Sequence, residues 1–564
     1  MKKTIFLALA LILNLGLFAQ HNEEVTIEGT YRPKVNKVNK IVMKPDTPEQ
    51  AITMPEAKVK VLDIEHRFHL TLDKLSPLSY YAGKSPAEDA AKNFLMAGFG
   101  SRVSPFFLYR HNSNLTKDLA LGVGIKHYSS WMDMKNYAPS DFMNNAFEVG
   151  LTSSKYRGLQ LAGNVYYKND MYHYYGVKSS DLPVGLTFDK MAPRQTYNTI
   201  GASFDLTSTN TRNGELVHDL GIDYHYLFDQ VFVGKEHYVS MDYDLGYADR
   251  WWGKKEYPQK VGVALGVDFD KNYAGATSDN RLVFKVNPYF EMKDAFYRLH
   301  LGVRMDGALD ETTDKLLTVH PDLKGSLLVL NNKLEFYAGL NGGRKLYTYR
   351  DLVEENPFVR SQSDMKVTTE KLGFDGGVRA HVMPSMDVHV GVRYRQTEND
   401  FFYRQKINAI AGGYPYNSFD VVYDENKQVS VLGNVRWLVT DKITADAGVV
   451  YNSYSLLNEQ HAWYRPAFEC NLKVDYQMNE DLSFNAFFLH QGGRWAQEAS
   501  ASSSALQAVK LPAVFDLGLG ADYRLNDQIA VFAKLDNLLN QKYQLYLNYP
   551  VTGMEVFAGL KMKF

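Results

Sequence analysis

From about Phe94 onward the chain is built of segments, about ten to fourteen residues long, in which apolar and polar positions alternate. In one of them Met386, Val388, Val390, Val392 and Tyr394 fall on one face, and Asp387, His389, Gly391, Arg393 and Arg395 on the other. In a second, Tyr297, Leu299, Leu301, Val303 and Met305 oppose Arg298, His300, Gly302, Arg304 and Asp306. In a third, Phe515, Leu517, Leu519, Ala521 and Tyr523 oppose Asp516, Gly518, Gly520, Asp522 and Arg524. A period of two is that of a β-strand, whose successive side chains point to opposite faces.

The connections alternate too. Tight turns stand at Asn331-Asn332, Pro384-Ser385, Thr440-Asp441, Asn479-Glu480 and Asn526-Asp527. Between them run the long polar stretches Lys345–Thr369, Glu398–Glu425 and Gly492–Val509. Short turns at one rim and long loops at the other fit a transmembrane antiparallel β-barrel better than a soluble sandwich, which also alternates. The glycines and charges on the polar faces suit a crowded, wet lumen. About twenty-one such segments follow residue 100. Bacterial barrels have even strand numbers, so the expectation is an all-β barrel of about 22 strands, one more strand lying near Asn93–Gly100. In the last segment Val556, Ala558, Leu560, Met562 and Phe564 would face lipid and Lys561 and Lys563 the lumen. Phe557 breaks that pattern by pointing inward, against a glycine of a neighbouring strand.

Composition narrows the class. The mean hydropathy is -0.32, and after the N-terminus no apolar run reaches the ~18 residues of a spanning helix. A formal net charge of -2 gives no reason to expect nucleic acid. The chain has 38 Tyr and 6 Trp, a bias suited to the aromatic girdles of a barrel, where a ring with a polar tip meets the membrane interface. Cys470 is the single cysteine, so no intramolecular disulfide is available. Residues 1–20 read as a secretory signal: Lys2 and Lys3, an apolar run from Ile5 to Phe18, then Ala19 and Gln20. Residues 21–92, with six prolines from Pro33 to Pro86 and the basic stretch YRPKVNKVNK, read as an extended arm. Residues 93–564 form the barrel.

Candidate chemistry is sparse. Asp387 with His389, and His300 with Asp306, share lumen faces. They read as parts of a polar lumen network together with Arg298, Arg304, Arg393, Arg395, Asp516 and Asp522, rather than as metal ligands. MYHYYG (Met171–Gly176) and YHYLF (Tyr224–Phe228) read as girdle or loop packing, with carbohydrate stacking as the sharper possibility. Trp251-Trp252, followed by Gly253, Lys254 and Lys255, fits an interfacial anchor. No nucleophile elbow, phosphate loop or zinc motif stands out, so no enzyme, cofactor or metal is expected.

The C-terminal stretch resembles the TonB-dependent receptors. Asp536, Asn537, Leu538, Leu539, Asn540 and Tyr543 reproduce the D-N-L-hydrophobic-N-x-x-Y element of their last hairpin, and Phe564 closes the chain. VTIEGTYRPK, from Val25 to Lys34, is similar to the opening of their plug domain. The I-R-G and D-G-hydrophobic segments of that plug do not follow. The signal ending in FAQ and the Tyr-rich loops resemble outer-membrane proteins of the Bacteroidetes. The resemblance implies a receptor-like barrel of the outer membrane that takes part in transport, with the arm as a vestigial plug and without an autonomous plug-gated import cycle. The alternative is a non-transporting accessory barrel of an assembly or secretion complex. An open charged lumen favours the first, and a lumen blocked by the arm or by folded-in loops the second. Expected partners are the bilayer, lipopolysaccharide and other outer-membrane or periplasmic proteins. If the arm lies in or under the lumen, Arg32, Lys34, Lys37 and Lys40 would meet lumen carboxylates within their reach, such as Asp387, Asp516 and Asp522.

Overall fold

The computed structural model describes residues 92–564, apart from 157, 179, 181–193, 210–213, 252–257, 311–315, 410–414 and 500–505. The arm and the signal segment therefore lie outside the described residues. Twenty-two antiparallel strands, numbered β1 to β22 around the wall, close into one barrel. The additional strand expected near residue 93 is β1 (Asn93–Gly100), which pairs with both β2 (Ser104–Thr116) and β22 (Glu555–Lys563). At that seam Asn93 N donates to Phe564 O (2.8 Å) and Phe564 N donates to Asn93 O (3.0 Å). Closure matters because hydrocarbon offers no partner to an open strand edge.

The alternation read along the chain is the alternation of the wall. Val390 and Leu301 are 52% and 43% exposed on the outer surface, whereas Asp306 is fully buried on the inner one. Phe557 does turn inward. Its ring packs against Phe106 (5.9 Å between centroids), and a Cβ added at Gly100 would stand 2.6 Å from Phe557 Cε1, so a glycine there makes room for the ring.

The rim that holds the seam ends also holds the tight turns after Thr116, Met383, Thr440, Gln477 and Arg524. The opposite rim carries the connections 131–141, 346–367, 457–467, 493–513 and 537–554. This asymmetry places the first rim in the periplasm and the second outside the cell. One long polar stretch is not the loop expected from sequence. Most of Glu398–Glu425 belongs to β15 (Met386–Ala409) and β16 (Pro415–Thr440), a hairpin that continues past its neighbours. A register shift between Thr397 and Asp400 interrupts the alternation, and beyond it no lipid face remains to enforce a pattern.

Two substitutions test the register. Val390→Arg or Leu301→Arg puts charge among lipid tails, at a cost of about 2–4 kcal/mol near the midplane. Each should lower the denaturant midpoint well below that of His389→Gln on the inner face. Equal midpoints would mean the faces are misassigned.

Candidate functional site

The ten lumen residues singled out from sequence all lie on the inner face, but they do not converge on one centre. Arg393 Nε donates to Asp375 (2.8 Å), and Arg395 donates to Glu370 (2.7 Å) and Asp375 (3.3 Å). Arg304 Nε pairs with Asp306 (3.0 Å), and Arg298 stands 3.9 Å from Glu335. His300 is not joined to Asp306. It bridges Glu291 and Asp322, at 3.0 Å each. His389 bonds the Tyr337 hydroxyl (2.7 Å), while Asp387 pairs with His381. Asp522 pairs with Lys561, and Asp516 accepts from Tyr543 (2.8 Å). The network is thus a set of local pairs, most of them between strands, that satisfy the charges of a polar wall. The carboxylates expected to receive the basic arm, Asp387, Asp516 and Asp522, already have partners within the barrel.

The receptor-like motif is a fastening for loop 537–554. Asn537 and Asn540 adopt φ of +48° and +49°, a conformation Asn tolerates better than most residues. Asn537 Oδ1 accepts from Gln541 N (3.0 Å), and its Nδ2 donates to Gln541 O (2.8 Å) and Thr552 O (3.0 Å). Asn540 Oδ1 accepts from Met554 N (2.9 Å). Leu538 N donates to Leu517 O (2.8 Å), Asp536 pairs with Lys534 (3.3 Å), and Leu539 is exposed. Tyr543 then anchors the loop on buried Asp516 of the wall. At the other end of the barrel Trp251 packs beside Tyr247 and Phe290 on the outer face of the periplasmic rim, as an interfacial anchor would. Trp252, Lys254 and Lys255 lie outside the described residues.

The feature that sequence did not disclose is loop 346–367. Its helix α1 (Tyr349–Glu355) begins with a capping box formed by Thr348 and Asp351. Inward-facing groups of β5 (Leu159–His173), β6 (Arg194–Ser208), β7 (Glu215–Asp229), β8 (Gly234–Asp249), β9 (Gln259–Ala274) and β10 (Thr277–Lys293) hold this loop against the lumen wall. The Glu236 carboxylate accepts from the backbone N–H groups of Tyr349 and Arg350 at the start of α1, where an anion is favoured. Arg350 donates to Tyr166 Oη (2.7 Å), and Lys168 pairs with Glu354 (3.0 Å). Tyr349 Oη donates to Asp229 (3.1 Å), Tyr197 Oη to Pro357 O (2.8 Å), and Arg281 to Tyr347 O (3.0 Å). Burial alone would raise the pKa of the Glu354 carboxyl, but Arg350 and Lys168 outweigh it and hold it down at about 2.

The buried side of α1, with Tyr349, Leu352 and Val353, belongs to a core of aromatic rings shared by the outer loops. Phe358 stacks on Tyr549 (3.7 Å between centroids), Tyr175 meets Tyr549 edge-on (4.9 Å), and Phe419 packs on Tyr464 and Tyr546. Arg465 clamps Asp400 with two bonds of 2.8 Å, and Arg494 donates to the carbonyls of Pro512, Gln544 and Leu545. MYHYYG supplies Tyr174 and Tyr175 to this core, which is the loop packing expected as one of its two readings, and not to a girdle. YHYLF divides, with Tyr224 and Tyr226 outward and His225 and Leu227 inward. The only sequence signal for this core was the abundance of tyrosine in the loops, which a girdle explains equally well.

Comparison with known proteins fits this architecture. No family model matches the chain, and no curated protein matches it in sequence. Solved structures do match in fold. The siderophore receptor PirA from Acinetobacter baumannii aligns with a TM-score of 0.63 at 11% identity, over 84% of this chain and 80% of that one. The FrpB iron transporter from Neisseria meningitidis aligns at 0.63 and 10%, over 85% and 82%. The copper transporter OprC aligns at 0.58 and 12%, over 84% and 80%. The chain is therefore an outer-membrane β-barrel with the 22-stranded fold of the TonB-dependent receptors.

Two tests address the fastenings. Tyr543→Phe leaves buried Asp516 without its donor and should lower barrel stability by about 1–3 kcal/mol in a denaturant titration. The low Glu354 value gives the docking of α1 a defined pH dependence. Because the folded value lies below the ordinary 4.5, this contribution is complete above about pH 4.5 and is lost as pH falls through about 2. Hydrogen exchange in 349–355 should rise over that interval, and Glu354→Gln should remove this component of the dependence.

Proposed function

We propose that the chain is a TonB-receptor-like transport barrel of the Bacteroidetes type, which works without an autonomous plug and uses its outer loops as the closure of the lumen. After export on the signal segment, it serves transport across the outer membrane, with residues 21–92 as a vestigial arm. The observation that carries this reading is loop 346–367, folded into the lumen and held on its wall side by ion pairs and hydrogen bonds, while Leu352, Val353, Phe358 and Val359 pack into the apolar core of the outer loops. The wall contacts can be exchanged for water or for a ligand, so the loop would withdraw together with the outer-loop core into which it packs. The fold relation to receptors and transporters supports the same reading, since barrels of this size enclose a lumen wide enough to need a plug. A folded-in loop is what the sequence reading expected of an accessory barrel, so the transport reading stands on the fold relation and on the polar wall contacts, and the test must separate the two.

Planar-bilayer conductance does so. The wild-type barrel should be closed or weakly conducting. Lys168→Ala/Arg350→Ala, which removes two of the loop's attachments, should conduct several-fold more. Lys168→Cys/Glu354→Cys in a Cys470→Ser background, bridged by a short bis-maleimide, should stay closed. If the released variant is folded, by its heat-modifiable gel migration, and no more conducting than wild type, the gate is refuted and the accessory subunit becomes the better account. Deleting residues 24–60 reports separately on the arm, and a rise in conductance would give it a share in closure.

A further inference from the structure

The outer face of β7–β10 changes character abruptly near the extracellular rim. Tyr224, Val239, Phe269 and Leu282 form one row in register across the four strands, and the next row on its periplasmic side, Ile222, Met241, Val267 and Phe284, is apolar. The next row outward is Tyr226, His237, Lys271 and Asn280, followed by Phe228, Lys235, Tyr273 and Ser278. The two lysines are diagonal neighbours on adjacent strands, about 7–8 Å apart at Cα. His237 stacks on Tyr226 (4.5 Å between centroids), and Lys271 Nζ lies 5.3 Å from the Tyr273 ring centre. These two rows contain no carboxylate.

The lumen lysines of the same strands behave differently. Lys260 pairs with Asp244, and Lys285 with Asp268. Lys235 and Lys271 have no carboxylate partner among the described residues. Two cations side by side on a lipid-facing wall are unfavourable unless an anion is shared between them. Their height supplies one. They stand where the apolar belt ends at the outer rim, so their ammonium groups reach the headgroup layer of the outer leaflet. Tyrosines, a histidine and an asparagine around them add hydrogen-bonding groups suited to a sugar phosphate.

We propose that Lys235 and Lys271, framed by His237, Tyr226, Tyr273 and Asn280, form a binding site for a phosphate group of lipopolysaccharide in the outer leaflet. The site lies on the outside of the barrel and does not depend on what passes through the lumen.

The test uses the full-length barrel in nanodiscs, titrated with purified lipopolysaccharide and followed by native mass spectrometry of the bound fraction. Wild type should bind lipopolysaccharide at least about tenfold more tightly than Lys235→Gln/Lys271→Gln, taking each 1.4 kcal/mol of lost charge pairing as tenfold. It should discriminate equally against lipopolysaccharide whose phosphates have been removed. Lys235→Arg/Lys271→Arg should retain most of the affinity. Equal binding of phosphorylated and dephosphorylated lipopolysaccharide by wild type would overturn the proposal, and that arm needs no variant to fold. Phosphatidylglycerol competing as well as lipopolysaccharide would also overturn it, because the site would then be a general anionic-lipid contact.

Discussion

A strand edge in hydrocarbon has no water to bond, and this single constraint organises the molecule. Twenty-two strands must all be paired, so β1 must find β22, and the Asn93–Phe564 backbone bonds complete the cycle. Once the wall is closed it has two environments, and every strand must serve both. Outer positions become Val, Leu, Phe and Tyr. Inner positions carry charge, provided each charge finds a cross-strand partner. Pairs such as Arg393–Asp375 and Lys561–Asp522 are the consequence of making a wall polar on one side and apolar on the other.

The same wall sets the terms on which the outer loops fold. Along β5–β10 the inner face near the extracellular rim presents Glu236, Asp229, Arg281 and Lys168, and these groups receive loop 346–367. The other side of that loop joins a cluster of rings, in which its own Phe358 packs with Phe419, Tyr464, Tyr546 and Tyr549. The loop therefore has two faces, a polar one on the wall and an apolar one in the core of the outer loops. The first is suited to reversible release and the second to rigidity.

Much of the wall was legible in the sequence because the bilayer enforces a period of two over every spanning segment. The strands around Val390, Leu301 and Leu519, the strand near Asn93 and the inward turn of Phe557 all follow from that rule. The end of β15 and the start of β16 were not legible. Phe401, Phe402 and Tyr403 are consecutive and all buried, so the alternation fails just where the hairpin leaves the membrane and enters the core of the outer loops. The seven residues of α1 are too few to show a helical period, and their polar partners on the wall are scattered over β5, β7 and β8. Asp536–Tyr543 was recognisable as a motif, but its role as a fastening depends on Asp516, which lies some twenty residues upstream and whose proximity only the pairing of strands reveals.

The seam has a bearing on biogenesis. The residues that join there are separated by 471 positions in the chain. Every other neighbouring pair of barrel strands is consecutive along the wall and can form as soon as both are present, but this one waits for the last strand. Until then the growing sheet carries two unprotected edges, and an unpaired edge invites another chain. The passage from export to insertion is thus the stage at which this protein is most exposed to aggregation. The final pairing, late and long-range, is the step for which a periplasmic escort and an insertion machine would matter most.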